Sequence, residues 1–189
     1  MIMKKNNLKF GVIAAAAILM SLSACKKDKD LPEAGENELI TKVSLKFTNI
    51  ANASDVSTVT WSDPDGEGGV APTMGTLNLK ANTAYNFEVS EVLNETASDA
   101  DDRNVLNEIN EESDEHLWVY KPNTGLNINL IRTDKDENNF QVGIKGTATT
   151  GAISSGLLQV VLRHQPNGKD GTETPGSTDF DAVFPVAIK

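Results

Sequence analysis

Residues 41–50 read TKVSLKFTNI, and in this stretch apolar and polar side chains alternate with a period of two. Because successive side chains of a β-strand point to opposite faces, Val43, Leu45 and Phe47 would share one face. Alternation of this kind is typical of a strand with one buried and one solvated face. The stretch therefore predicts a strand of an antiparallel sheet that packs on a core.

Eight further runs of β type follow this strand, with Gly, Asn, Asp and Pro between them. They are Val56–Trp61, Gly75–Lys80, Tyr85–Leu93, Leu117–Tyr120, Leu126–Arg132, Phe140–Thr149, Gly156–His164 and Phe180–Ile188. Short strands at regular spacing, separated by turn residues, are typical of a sandwich. We therefore expect a mainly-β fold, an antiparallel, immunoglobulin-like β-sandwich of about seven to nine strands.

A single helix is predicted, from Ser98 to Asp114. Ser98 can cap it, with Asp101 three residues later as the capping-box partner. Val105 and Ile109 lie four residues apart and give it a thin apolar face. A parallel β/α fold would need repeated helices. We expect one short acidic helix across an edge or end of the sandwich.

The first 24 residues have the pattern of an export signal. Three lysines precede an apolar run at residues 10–20, which is too short for a comfortable membrane span of about 20 residues. The run is followed by LSAC, residues 22–25. This ending resembles the lipobox of bacterial lipoproteins, in which the cysteine is lipidated and the chain is cut just before it. The resemblance predicts a signal peptide over residues 1–24 and a lipid anchor on Cys25.

Residues 25–38 are charged and contain Pro32 and Gly35, which favours a flexible tether. Residues 39–189 are then left as a single domain. Lys26 stands where an aspartate would favour inner-membrane retention in enterobacteria, so we expect the outer membrane. The tract KKDKD, residues 26–30, partly resembles a surface-export signal of Bacteroidota lipoproteins. The sequence is compatible with a position on the cell surface and with one on the periplasmic face of the outer membrane.

The charge of the chain is strongly negative and localised. The formal net charge is −10, and removal of the signal peptide would leave 14 basic against 27 acidic residues. Between Tyr85 and Glu115 there are 11 acids and one base. This balance argues against a nucleic-acid partner, which a basic face would serve. Cys25 is the only cysteine, so an intramolecular disulfide and a CxxC site are excluded.

The first candidate site combines acids with the only two histidines. Carboxylates crowd the C-terminal end of the predicted helix, where the helix dipole is unfavourable to them. Glu112 and Asp114 precede His116, and His164 ends an apolar strand. If the two strands are neighbours, these four residues form a candidate site for Zn²⁺ or another divalent transition metal. The alternative is a solvated acidic face with packed histidines.

The second candidate site is the stretch SDPDGEGG, residues 62–69. Asp63, Asp65 and Glu67 alternate before glycines, as ligands of a Ca²⁺ loop do. The EF-hand pattern is not met, because the glycine comes too early and no glutamate closes a 12-residue loop. A plain Pro-Asp-Gly turn between strands is the alternative.

No catalytic motif is present in the sequence. It contains no GxSxG or HExxH, and lipidation would consume the only thiol. We therefore expect no enzymatic activity. Trp61 and Trp118 could stack on a sugar, although packing in the core is the commoner use of such residues.

Several stretches together resemble a family of small Bacteroidota lipoproteins encoded beside TonB-dependent outer-membrane receptors. They are ITKVSLKFT, WSDPDGEGG, GTLNLKANTAYNFEVSEVLNE, EESDEH and VVLRHQP, and the resemblance spans most of residues 39–188. Such proteins are often labelled as periplasmic-binding-fold proteins, but that fold is a two-lobed α/β fold, so the β-rich pattern argues against the label. The resemblance implies a role beside a TonB-dependent receptor, with a metal or metal complex as cargo. The alternative is a structural or adhesive surface lipoprotein that binds protein or glycan through its loops.

Overall fold

The computed structural model describes residues 38–66 and 68–189, and in this part of the chain ten strands and two short helices are present. Six strands form one sheet in the order β3-β2-β1-β5-β8-β7. Their ranges are Lys42–Asn49 (β1), Val56–Ser62 (β2), Thr73–Met74 (β3), Ala84–Leu93 (β5), Ile128–Arg132 (β7) and Lys145–Thr150 (β8). The predicted mainly-β sandwich is confirmed, with this sheet as its first layer.

The second layer has four strands in the order β4-β10-β9-β6. Their ranges are Leu77–Leu79 (β4), His116–Pro122 (β6), Ser154–His164 (β9) and Ser177–Ile188 (β10). Most pairs are antiparallel, as expected, but β4 pairs with β10 in parallel. β4 forms an edge of this sheet, beside the C-terminal strand. Among the described residues, no helix is long and apolar enough to cross a membrane.

The inner faces of the two sheets form one core. Phe87 on β5 stacks on Phe47 at 5.7 Å between ring centroids and meets Tyr120 of the other sheet edge-on at 4.9 Å. Trp61 and Phe180 make a second contact between the sheets at 5.1 Å. Burial of a side chain of this size stabilises the fold by roughly 1.5–3 kcal/mol. These aromatic contacts hold the two layers in a fixed relation.

The prediction of one helix over Ser98–Asp114 is wrong. The structure has two short helices, Ala100–Arg103 (α1) and Val105–Glu111 (α2), separated at Asn104. Asp99, not Ser98, caps α1 by accepting a hydrogen bond from the Asp101 N–H at 2.9 Å. Asn104 has a backbone conformation outside the helical region, so the hydrogen-bond ladder breaks there. The apolar face predicted for the helix is confirmed, because Val105 and Ile109 are both buried.

The predicted strand Phe140–Thr149 is also too long, since β8 starts only at Lys145. Gly143 has a φ of +87°, a left-handed conformation that interrupts an extended strand. The residues before it run along the edge of β6 instead, where the Trp118 N–H donates to the Val142 carbonyl at 2.7 Å. This segment covers an edge of the four-stranded sheet that would otherwise expose unpaired backbone groups.

Candidate metal centre

The two histidines lie side by side on the inner face of the four-stranded sheet. The register of β6 and β9 places His116 directly opposite His164, in line with the core pair Trp118 and Leu162. The imidazole rings stack in parallel, with centroids 4.7 Å apart and planes 4° apart. His116 is fully buried and His164 is 5% exposed. The expectation that these strands are neighbours is confirmed, and it is what brings the histidines together.

The hydrogen bonding of His116 fixes its tautomer. Its Nδ1 lies 3.0 Å from the Glu112 carbonyl oxygen, which can only accept, so Nδ1 carries the hydrogen. Burial lowers the pKa of His116 to about 4, and the ring is therefore neutral at pH 7. The lone pair is then on Nε2, which is buried and has no hydrogen-bond partner. A neutral imidazole held by a carbonyl at its other nitrogen is the usual state of a metal-ligating histidine.

A buried carboxylate faces both rings. Asp179 Oδ2 lies 3.9 Å from His116 Nε2 and 3.8 Å from His164 Nδ1, and the Asp179 side chain is 0% exposed. Neither Asp179 oxygen has a hydrogen-bond partner, nor does His164 Nδ1. Burial raises the pKa of Asp179 to about 6, so the group is largely ionised at pH 7. Asp179 therefore lies between the two imidazoles at distances longer than a hydrogen bond.

A β-bulge supplies this carboxylate. Thr178 pairs with Arg163 and Phe180 pairs with Leu162, so Asp179 is an extra residue in β10 with no partner on β9. Such a bulge turns a side chain away from its regular alternation, and bulges are common next to functional sites. Here the displaced residue places a charged group against the histidines at the end of the sandwich.

Carboxylates of the turn between α2 and β6 complete the cluster. One ligand atom each from Glu112, His116 and His164 lie within 4.8 Å of one another. Glu115 Oε2 lies 3.6 Å from His164 Nε2, the nitrogen that does not face Asp179. Asp114 lies in the same turn and is not a member of the group of three. Of the four predicted ligands, the structure thus brings Glu112, His116 and His164 together.

Two basic residues lie near the cluster, and both donate hydrogen bonds to other groups, although the buried Arg163 Nε has no hydrogen-bond partner. The Arg163 guanidinium donates to the Pro175 carbonyl at 2.9 Å, to the Gly176 carbonyl at 2.7 Å and to the Thr178 hydroxyl. Lys169 Nζ lies 2.7 Å from Asp136 Oδ2 and donates to the Ser113 carbonyl at 2.7 Å. Neither forms an ion pair with the carboxylates that face the histidines. The cluster keeps an excess of negative charge.

The Lys169–Asp136 ion pair is itself buried, with side chains 2% and 0% exposed. Burial opposes ionisation of Asp136, but the hydrogen bonds from Lys169 and from the Phe140 N–H, together with the charge of Lys169, outweigh it and lower the pKa of Asp136. The pair joins the long loop after β9 to the segment before β8, and through Ser113 to the turn that carries Glu112 and Glu115. The long loop is therefore held in place beside the cluster.

The second candidate site is less well formed. Asp63 is 8% exposed, and its Oδ1 is buried without a hydrogen-bond partner. Burial, and then the charge of Asp65, raises the pKa of Asp63. Asp65, however, accepts a hydrogen bond from the Val70 N–H at 2.8 Å, as in an ordinary turn. Glu67 lies outside the described residues, and calcium binding by this loop stays a prediction.

Two other sequence predictions can be placed. Trp118 is fully buried and Trp61 packs against the core, which confirms the packing interpretation. Cys25, the signal peptide over residues 1–24 and the tether up to residue 37 lie outside the described residues. Asp179, Glu115 and Lys169 were missed as members of the site. Glu115 could have been predicted from the sequence, because it lies directly before His116. No pattern in the sequence predicts the bulge at Asp179.

Replacement of Asp179 by asparagine is expected to stabilise the metal-free domain at pH 8. The pKa of the Asp179 carboxyl group is about 6 in the folded state, against an ordinary value of 3.8, so its ionisation is disfavoured by folding. The free energy of unfolding therefore falls as the pH rises from about 4 through 6. The neutral side chain removes this penalty, roughly 2–3 kcal/mol above pH 7. Urea unfolding in the presence of a chelator, at pH 8 and at pH 4, measures this difference in the free energy of unfolding.

The matched control is Asp181→Asn, on the exposed side of the same strand. The gain for Asp179→Asn should nearly vanish at pH 4, and Asp181→Asn should show little change at either pH. Equal effects of the two substitutions would contradict the account of a buried, unpartnered Asp179 carboxylate.

Comparison of the chain with protein-family models, with curated proteins and with solved structures found no match.

Proposed function

We propose that this protein is a non-enzymatic, lipid-anchored binding module that holds one divalent transition-metal ion between His116 and His164. The observation that carries the proposal is a set of three buried atoms without a hydrogen-bond partner, His116 Nε2, His164 Nδ1 and Asp179 Oδ2. Buried polar atoms normally have partners, and leaving one without costs about 1–3 kcal/mol. A cation that accepts lone pairs from all three would satisfy them together.

The ligand atoms of Glu112, His116 and His164 lie within 4.8 Å of one another, and Asp179 is not a member of that group, so its carboxylate would have to move to join them. Zn–N and Zn–O bonds of about 2.0–2.2 Å place neighbouring tetrahedral ligands roughly 3.3–3.5 Å apart. The separations of 3.8 and 3.9 Å from Asp179 to the imidazole nitrogens would contract by a few tenths of an ångström. The parallel rings would also tilt, because a shared ion must lie near the plane of each ring.

The donor set indicates the class of ion. Two imidazoles with carboxylate oxygens suit Zn²⁺, Cu²⁺, Fe²⁺ and Ni²⁺, whereas Ca²⁺ and Mg²⁺ prefer oxygen ligands alone. With Glu112 as a fourth ligand the site would be closed, and closed sites hold metal rather than activate a water. This supports binding and not catalysis.

The proposed setting of the site is the outer membrane. The LSAC sequence at residues 22–25 supports lipidation at Cys25, and the resemblance to lipoproteins encoded beside TonB-dependent receptors supports a role in uptake. In this proposal the domain captures a metal or a metal complex close to the membrane and assists its transfer to such a receptor.

Calorimetric titration of the chain from residue 26, made without a polyhistidine tag, tests the proposal. All described strands and helices lie after this point. We expect one Zn²⁺ per chain, with Cu²⁺ bound more tightly and Mn²⁺ more weakly, in the usual order for such sites. Excess Ca²⁺ and Mg²⁺ should not displace Zn²⁺. If none of Zn²⁺, Cu²⁺, Fe²⁺ and Mn²⁺ binds, the metal assignment is wrong.

A further inference from the structure

Each imidazole of the histidine pair needs an acceptor for the ring nitrogen that does not bind the ion. A neutral imidazole carries one hydrogen, so a ring that donates one lone pair to a metal has an N–H at its other nitrogen. For His116 that acceptor is the Glu112 carbonyl oxygen, 3.0 Å from Nδ1. His164 Nδ1 is the nitrogen that lies near Asp179, at 3.8 Å, so the hydrogen of a metal-bound His164 belongs on Nε2.

The group that faces His164 Nε2 is the Glu115 carboxylate. Glu115 Oε2 lies 3.6 Å from this nitrogen, and the His164 side chain is only 6% exposed. In the described part of the chain no lysine or arginine forms an ion pair with Glu115, since Lys121 pairs with Glu173 and Lys169 pairs with Asp136. The Glu115 carboxylate can therefore serve as the acceptor for His164.

The backbone of Glu115 is held beside His164 by two hydrogen bonds. The Gln165 N–H donates to the Glu115 carbonyl at 2.6 Å, one residue beyond the paired His116 and His164. The Glu115 N–H donates to the Glu112 carbonyl at 2.9 Å. The Glu115 side chain is 29% exposed and is therefore less confined than its backbone. The carboxylate is kept near His164 and still has freedom to approach it.

The contact between Glu115 and His164 is open in the metal-free structure. Its length of 3.6 Å exceeds the roughly 2.7–2.9 Å of a hydrogen bond between an N–H and a charged acceptor. A metal ion at Nδ1 withdraws electron density from the ring and makes the Nε2 hydrogen a stronger donor. A carboxylate at that hydrogen in turn raises the basicity of the ligating nitrogen. Metal binding and closure of this contact therefore favour each other.

We infer that Glu115 is a positioning residue of the metal centre, which accepts a hydrogen bond from His164 Nε2 and so directs the Nδ1 lone pair to the ion. The inference rests on the proposed metal function. Glu115 is not a ligand in this account and acts only through His164. The turn at residues 112–115 then orients both imidazoles, with a carbonyl for His116 and a carboxylate for His164.

The test compares Glu115→Ala, Glu115→Gln and Glu111→Ala in the chain from residue 26. Competition with a zinc chelator should show a loss of Zn²⁺ affinity of about 10- to 100-fold for Glu115→Ala, the size usual for removal of a supporting group. Glu115→Gln should keep most of the affinity, because its amide oxygen still accepts a hydrogen bond. The control Glu111→Ala removes an exposed acid four residues away and should bind Zn²⁺ as the unchanged chain does.

Nitrogen NMR of the imidazole rings in the zinc-loaded chain gives a second readout, which a purely structural role of Glu115 would not change. We expect His164 to carry its hydrogen on Nε2 and the metal on Nδ1. In Glu115→Ala this preference should be lost, so that both nitrogens of His164 are found as ligands. A hydrogen on Nδ1 of His164 in the zinc-loaded unchanged chain would overturn the inference.

The outcomes separate the role of Glu115 from the proposed function. If Glu115→Ala binds Zn²⁺ normally while His164→Ala does not, the role of Glu115 is wrong and the proposed function stands. If Glu115→Gln loses as much affinity as Glu115→Ala, Glu115 acts through its charge alone and the positioning role is again wrong. If the unchanged chain does not bind Zn²⁺, or if His164→Ala binds it equally well, the proposed function is wrong as well.

Discussion

Replacement of His164 by alanine should abolish the zinc-dependent stabilisation of the domain. An ion that binds only the folded state at 100 times its Kd stabilises it by about 2.7 kcal/mol. For a domain of this size that corresponds to a rise in Tm of roughly 5–10 °C. His164 supplies one of the two imidazoles, and Asp179 and Glu115 face its two nitrogens. Without it, the remaining carboxylates and His116 do not form a transition-metal site of useful affinity.

Differential scanning calorimetry of His164→Ala and His116→Ala, with and without Zn²⁺, measures this effect. Both imidazoles are buried, so an alanine at either position leaves a cavity that could destabilise the fold by itself. His164→Gln is therefore added as a variant that keeps most of the side-chain volume. The chain has only these two histidines, so no histidine away from the site can serve as a control. Glu137→Gln, which removes an exposed acid, is used as the control instead. A zinc-induced rise in Tm that persists in both histidine variants would exclude this site.

Replacement of Lys169 by methionine is expected to destabilise the domain by about 3–5 kcal/mol, the usual cost of leaving one partner of a buried ion pair alone. The Asp136 carboxylate would remain with a side chain 0% exposed and no counter-charge. The Ser113 carbonyl would lose its donor as well, so the turn that carries Glu112 and Glu115 should loosen. Zn²⁺ affinity should fall along with stability.

Urea unfolding in the presence of a chelator measures this cost. Lys135→Met is the matched control, since Lys135 is exposed and its side chain donates to Asn139 in the same loop. The double variant Lys169→Met with Asp136→Leu should recover much of the loss, because it removes the isolated charge. A single variant as stable as Lys135→Met would show that the pair does not hold these loops.

The histidine pair could be predicted from the sequence because it depends on regular alternation. His164 follows Leu158, Val160 and Leu162 at intervals of two, and His116 precedes Trp118 in the same way. Any pairing of these strands with one face in the core places both imidazoles on that face. The same regularity makes the sandwich itself predictable, since it needs only local alternation and turn residues.

The remaining members of the site depend on irregularities. Asp179 faces the histidines only because one residue is inserted in β10, and alternation counted back from Phe184 does not reveal the insertion. Lys169 pairs with Asp136 across 33 residues, and the sequence offers no periodic pattern for such a contact. Tertiary packing decides the position of both residues.

Zinc-edge anomalous scattering from crystals of the chain from residue 26, grown with Zn²⁺, tests the central claim most directly. The account predicts one strong peak per chain, about 2.0–2.1 Å from one nitrogen each of His116 and His164, with Asp179 or Glu112 oxygens at about 2.0–2.2 Å. The absence of a peak between the two imidazoles, or zinc bound only at surface carboxylates, would contradict it.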